Sequence, residues 1–507
     1  MRKFLFLPIL LLAGGLCAQN EKQNDAMLAS IRNEGMNHSQ VMDIAFYLID
    51  ANGPRLMESP GYFKAANWAK TKLDSWGLQN TALEPWGQWG KGWELEKFYI
   101  ALQAPFYKPL IGFPKTFTPG TNGLVHASVV LLDVKDSSGL PSYKGQLKDK
   151  IVLLVRYDSL PLGFSPDAKR LTDEDLSKLS AFDPKAPVNP PGGNDNFRAA
   201  ARLLTLAKDF AKDEGAICML STSTRNSDGT VFVQNGTVYT PETPETFNDV
   251  ALAYEDYMTI QRMLQHHIPV DLDLELRTKV YAQDQRGYNV VGEIKGTDKK
   301  MKDQLIMIGA HLDSWQGATG ATDNGAGSVV MLEVMRILKA VGFNPRRTIR
   351  IALWGGEETG LHGSKNYVKN HFTDTVTRKY NAEGDKLSVY LNLDNGTGKI
   401  RGIYLQGNEA AKPVFEKWFE PFHDLGASTL TLENTGGTDH LSFDAIGLPA
   451  FQFIQDPMEY GSRTHHSNMD TYDHLSGEDL KQAATIIASF VYDADRMDEK
   501  MPRKSKN

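Results

Sequence analysis

Three short stretches of the sequence place carboxylates or an imidazole directly after β-rich runs: His311-Leu312-Asp313, Glu357-Glu358 and Asp394-Asn395. Between the first two lies Ala321-Thr322-Asp323-Asn324-Gly325-Ala326-Gly327, just ahead of a helical pattern, and Thr464-His465-His466-Ser467 precedes the last one. Taken singly, each has a plain structural explanation as a turn residue, a helix N-cap or a solvated acidic pair. Taken together they bring several acids to one edge of one sheet, where they would repel one another unless a cation were present. A metal centre resolves that conflict. Imidazole and carboxylate without thiolate suit zinc, with manganese or cobalt as acceptable substitutes. Two such ions sharing a carboxylate could activate a water and polarise a carbonyl oxygen, which is the chemistry of amide hydrolysis.

The elements that must position these residues are legible as alternating strands and helices. The pattern predicts strands over Gln304–Ala310, Thr348–Trp354 and Leu387–Leu393, helices over Ser328–Val341 and Gly363–Asn370, and a closing helix over Gly477–Asp493. This is the signature of an α/β fold, a mostly parallel sheet flanked by helices, whose ligands gather beyond the carboxyl ends of the strands. Two helical runs, from Gln40 and from Gly61 to Trp76, precede it. From about Tyr99 to Arg277 the texture is β-rich and turn-punctuated, which predicts a separate unit, and within it 158–196 is polar and rich in Pro and Gly, as functional insertions are.

At 507 residues the chain exceeds what one core supports, so at least two domains are expected. Its 55 Lys+Arg against 62 Asp+Glu give a formal charge of -7 with no basic block ahead of Arg503-Lys504-Ser505-Lys506, which argues against nucleic acid as a partner. Arg2-Lys3 followed by the apolar run Phe4–Leu12 predicts a signal peptide (1–18) cleaved after Ala18, and hence a secreted or periplasmic protein. Leu16 disfavours lipid anchoring at Cys17, and no later segment is apolar enough to be a transmembrane helix. Cys218, in an apolar run, is expected to be a buried and inert thiol.

The ordered set of motifs resembles the di-zinc exopeptidases of the aminopeptidase and carboxypeptidase Q type. The matching stretches are Gly309-Ala310-His311-Leu312-Asp313-Ser314-Trp315, Gly320-Ala321-Thr322-Asp323-Asn324-Gly325, Leu353-Trp354-Gly355-Gly356-Glu357-Glu358, Leu393-Asp394 and His465-His466-Ser467-Asn468-Met469-Asp470-Thr471, with Gly53-Pro54-Arg55-Leu56 near the start. The resemblance implies that His311, Asp323 and Asp394 hold one zinc, and that Asp323, Glu358 and His466 hold the other. Glu357 would be the general base toward a metal-bridging water, and Asp313 would orient His311 through its carboxylate. It further implies a mixed, mostly parallel sheet of the zinc-exopeptidase type. Residues 19–116 would be the N-terminal part of the peptidase, 117–276 an inserted β-rich protease-associated domain and 277–497 the catalytic domain. Residues 498–507 are expected to be a disordered tail. Asp439 and His440 are candidates for substrate contact or oxyanion stabilisation, and Arg463 is a candidate partner for a substrate carboxylate. Peptide is the implied substrate, and family members are often homodimers. A single-zinc glutaminyl cyclase and a non-catalytic receptor relative are the alternatives; the complete ligand set argues against both.

Overall fold

The computed structural model describes residues 26–186, 195–236, 240 and 247–504. The predicted leader, with Cys17 and Ala18, lies outside the described residues, as does part of the 158–196 insertion. In chain order the strands are β1 (Gln79–Gln88), β2 (Gly92–Ala104), β3 (Lys108–Pro109), β4 (Gly112–Pro114), β5 (Val125–Leu132), β6 (Ile151–Leu154), β7 (Cys218–Ser221) and β8 (Asn248–Leu252). There follow β9 (Asp271–Tyr281), β10 (Arg286–Ile294), β11 (Leu305–His311), β12 (Thr348–Trp354), β13 (Leu387–Asn392), β14 (Ile400–Tyr404), β15 (Thr429–Thr431) and β16 (Ala450–Gln455).

They form two eight-stranded sheets. The first has the order β1-β10-β12-β11-β13-β16-β14-β15. Its centre, β12-β11-β13-β16, is parallel, while β10 and β14 join antiparallel on either side. Every residue of β11 and β13 is buried, as expected of strands covered on both faces. Side-chain alternation sends Ile306, Ile308 and Ala310 into the larger core. That core also receives the helices α1 (Ala326–Ala340) and α2 (Gly477–Arg496). Leu305 and Met307 point the other way, to Tyr367 and Val368 of the helix His362–His371. The strand predicted at Thr348–Trp354 is observed with those bounds, the other two predicted strands differ by one residue at their ends, and β16 was not predicted.

The second sheet has the order β3-β2-β9-β5-β6-β7-β8-β4 and its own core around Ile100, Ile151, Cys218, Leu252 and Leu274. It starts at Gly92 and ends at Tyr281, wider than the expected 117–276, because β2 pairs antiparallel with β9 from Gly92↔Tyr281 to Ala104↔Asp271. The Cys218 thiol is buried there, and burial pushes its pKa well above the ordinary value, so it is the inert thiol expected. The chain end differs from expectation. Residues 498–504 are not a solvated tail: Met501 is buried in the main core, the Pro502 carbonyl accepts from Asn408 Nδ2 at 2.7 Å, and the Arg503 guanidinium lies 4.1 Å from the Tyr380 ring centre. An apolar anchor and a cation over an aromatic face hold a segment whose charges alone read as solvated.

Candidate metal centre

The sheet delivers the predicted residues to one place. His311 is the last residue of β11, and its Nδ1–H donates to the Asp313 carbonyl at 2.9 Å. That fixes the tautomer and leaves Nε2 facing Asp323 Oδ1 at 3.3 Å, Asp394 Oδ1 at 3.5 Å and Glu357 Oε2 at 3.9 Å. The Asp313 carboxylate was expected to orient the imidazole. It lies 3.6 Å from Nδ1, within ion-pair distance, and also accepts from the backbone N–H groups of Glu357 (3.1 Å) and Glu358 (3.3 Å). Beyond β12 the chain turns at Gly356, whose φ of +79° suits glycine, and this turn presents the two glutamates.

Two positioning residues lie inside quoted motifs but were assigned no role from sequence. Asp470 accepts from the N–H groups of Thr322 (2.6 Å) and Asp323 (3.1 Å), fixing the loop ahead of α1. Arg55, fully buried, donates to the carbonyls of Leu312 (2.7 Å), Thr319 (2.6 Å) and Gly320 (2.8 Å), tying the chain after β11 to the N-terminal region. Its positive charge sits behind an acidic cluster.

That cluster is short of positive charge. Burial raises Glu357 well above the carboxylate range, with Asp394 and Asp439 adding to the shift. Burial and the neighbouring Asp323 push Glu358 up to about 7. Burial would raise Asp323 too, but the imidazoles of His311 and His466 outweigh it and hold it well below the usual range. Glu358 Oε1 is buried without a hydrogen-bond partner. An unpaired carboxylate oxygen among imidazoles and acids, with no thiolate, fits a borderline cation such as zinc. His311, Asp323 and Asp394 place ligand atoms within 4.8 Å of one another, as do Asp323, His465 and His466. Of the adjacent histidines, His466 Nε2 lies 3.0 Å from Asp323 Oδ2 and 2.9 Å from Glu358 Oε2, whereas His465 Nε2 is 3.8 Å from Asp323.

The second unit reaches into this site. Val233 N donates to the His466 carbonyl at 2.7 Å, Val231 N donates to Asn468 Oδ1 at 2.6 Å, and Phe232 forms a β-bridge with Ser467. The Gln234 amide nitrogen Nε2 meets His466 Nδ1 at 2.9 Å, on the opposite side of the ring from Asp323 and Glu358. His466 has a φ of +59°, a conformation non-glycine residues hold only where surroundings impose it. Gln234 was not found from sequence, and an isolated glutamine more than 200 residues upstream carries no signal.

A cavity of about 300 Å³ opens over the cluster, lined by Glu357, Glu358, Asp394, Gly437, Tyr460 and His465 among others. Three predicted substrate residues stand elsewhere. Asp439 is buried beneath the loop, with burial pushing it up to about 7, and His440 faces Gln406 and the Thr435 carbonyl. Arg463 is paired with Asp167 of the insertion at 2.7 Å, so its charge is already matched. The loop brings Gly437, not its neighbours Asp439 and His440, to the cavity wall.

Residues 289–491, which carry all five candidate ligands, match the model of peptidase family M28. Those residues form an M28-family peptidase domain. Over 466 residues, 90% of this chain and 85% of the relative, it is 26% identical to carboxypeptidase Q of Homo sapiens. The crystal structure of a peptidase M28 precursor from Shewanella amazonensis superimposes with a TM-score of 0.68 at 25% identity, covering 96% of this chain and all of that one. A zinc aminopeptidase from Bacillus subtilis shares the fold, with a TM-score of 0.57 at 20% identity over 92% of this chain and 97% of its own. The M28 domain thus combines a cluster of candidate metal ligands with the family's sheet, and the enzyme is a metallo-exopeptidase. Among the described residues no helix is long and apolar enough to cross a membrane.

Proposed function

We propose that the chain is an exported zinc-dependent exopeptidase that hydrolyses dipeptides or short peptides at a two-zinc centre. One observation carries this reading: a single carboxylate, Asp323, stands between two imidazoles, with Oδ1 3.3 Å from His311 and Oδ2 3.0 Å from His466. His311 and Asp394 would complete one site around it, and Glu358 and His466 the other. Zinc, when bound, supplies Lewis acidity toward the peptide carbonyl and lowers the pKa of water. Glu357 lines the cavity, and its carboxylate is the general base that takes a proton from water and returns it to the leaving amine. The Asp313 carboxylate holds the Glu357 and Glu358 amides and so aims both side chains. The second unit, read as a protease-associated domain, closes the site from the side of Gln234. The apolar leader supports export.

Amino-acid release from free, N-acetylated and C-amidated peptides tests the reading. Cleavage should vanish on chelation and return with zinc, and the blocked terminus that stops it identifies which end is read. Cleavage indifferent to chelation, or absent with zinc restored, would overturn it.

A further inference from the structure

The insertion that leaves the second sheet after β6 crosses to the catalytic sheet and is clamped there. Lys169 and Met458 exchange backbone hydrogen bonds of 3.0 and 2.8 Å. The carboxylate of Asp456, fully buried, accepts from Arg170 Nη1 (2.8 Å), Leu171 N (3.0 Å) and Arg401 Nη1 (2.9 Å). The helix that follows, Asp173–Ser180, starts with a capping box between Thr172 and Asp175 and buries none of its residues. Its position is therefore set by the clamp at its root rather than by a core of its own.

Between this helix and the β16-β14-β15 end of the first sheet runs a groove of about 680 Å³. The insertion contributes Leu171, Leu179 and Phe182 to it, and the catalytic unit faces them with Tyr404, Ile454 and Pro457. The charges on the insertion's side are already matched: Asp175 is held by Thr172 and Lys178 pairs with Glu174 at 2.7 Å. Glu433 adds a carboxylate to the lining, which disfavours an acidic occupant. The groove adjoins the site: Tyr460 lines both it and the cavity over the acidic cluster, and Asn395, next to Asp394, lines it too.

We infer that this groove is an extended subsite that takes a large apolar side chain of a peptide reaching beyond the residues flanking the scissile bond. The inference rests on the proposed peptidase reading and narrows it, favouring apolar oligopeptides over dipeptides. Hydrophobic pockets discriminate by contact area, roughly 10–200-fold for modest changes in side chain.

The test compares kcat/KM for matched di-, tri- and tetrapeptides carrying Phe, Ala or Asp at each position in turn, using the full-length zinc-loaded enzyme and its Phe182→Ala and Leu179→Ala variants. At one position of the longer peptides, Phe should be preferred over Ala by about tenfold or more and Asp should be worst. Each variant should shrink the Phe/Ala ratio severalfold, with thermal melting unchanged. Equal handling of Phe and Ala by the parent enzyme, or ratios unmoved in both variants, would overturn the inference. Calorimetric titration of Ala-Phe-Ala and Ala-Ala-Ala into the chelated protein separates it from the peptidase reading. Tighter binding of the Phe peptide that weakens in Phe182→Ala supports the groove even if nothing is cleaved, and equal binding counts against it.

Discussion

Burial lifts both Glu357 and Glu358, yet their surroundings separate them. Glu358 is in contact with His466 at 2.9 Å, whereas the nearest imidazole nitrogen to Glu357 is His311 Nε2 at 3.9 Å, and both glutamates line the cavity. Consecutive side chains leave an extended or turning chain in different directions, which allows one to hold a cation while the other handles a proton. Glu357→Gln should therefore keep full zinc occupancy while kcat falls by about 10²- to 10⁴-fold. Glu358→Gln should lose metal. Elemental analysis beside steady-state kinetics reads both, and a Glu357→Gln enzyme that either loses its zinc or keeps its rate would refute the division of labour. Arg55 makes a different point at this scale: a guanidinium that spends its donors on three carbonyls shapes the loop after β11, and lysine lacks the planar fork to replace it.

The segment from Arg225 to Gln234 belongs to the second unit but finishes the proposed metal centre, pairing with 466–468 through backbone bonds and through Gln234. A partner on the far nitrogen of a ligating histidine fixes its tautomer, and its loss typically costs 10–100-fold in metal affinity. Ligation through His466 Nε2 leaves the proton on Nδ1, so the Gln234 amide, whose Nε2 meets Nδ1 in this structure, must turn its oxygen to it. Gln234→Leu should then weaken zinc binding by about that factor in a competition titration, whereas Gln234→Glu, which offers an acceptor, should lose far less. Equal zinc affinity in all three proteins would show that the contact does no positioning. This element also marks where reading the sequence stops. His311, Glu357, Glu358 and Asp394 were recognisable because each ends or follows a strand whose β-rich, apolar run is visible locally. Gln234, Asp167 and the docked residues 498–504 owe their places to contacts made across the fold, and no spacing rule announces those. The Asp313 carboxylate stands 3.6 Å from His311 Nδ1, a proximity that was foreseeable, but not that the residue's backbone carbonyl would make the shorter contact with the imidazole.

For the molecule as a whole, stability in acid should depend on a group far from the chemistry. Asp249 is buried in the second sheet, where Lys115 and Lys208 reach its Oδ2 at 3.1 and 3.0 Å and Ser221 donates to Oδ1 at 3.0 Å. Burial alone would raise this carboxyl, but the two lysines outweigh it and hold it below the ordinary 3.8. A depressed pKa means that stability is present above the unfolded value and lost as pH falls through the folded one. The second unit should thus lose stability progressively below about pH 4. Asp249→Asn should cost about 3–5 kcal/mol at neutral pH, because it leaves two partly buried lysines without their counter-charge, and should flatten the acid transition. Denaturant midpoints from pH 7 to 3 check this, and parallel curves for parent and variant would contradict it. The junction between the two units has a consequence for how the chain folds. Gln88 pairs with Arg286 in the first sheet and Gly92 pairs with Tyr281 in the second, so one antiparallel ladder hands over to the other within a few residues. Once the second unit has zipped up, strands roughly 200 residues apart in sequence arrive side by side. The entropy of closing that long loop is then already met, and the edge of the catalytic sheet assembles with the kinetics of a hairpin rather than of a distant contact.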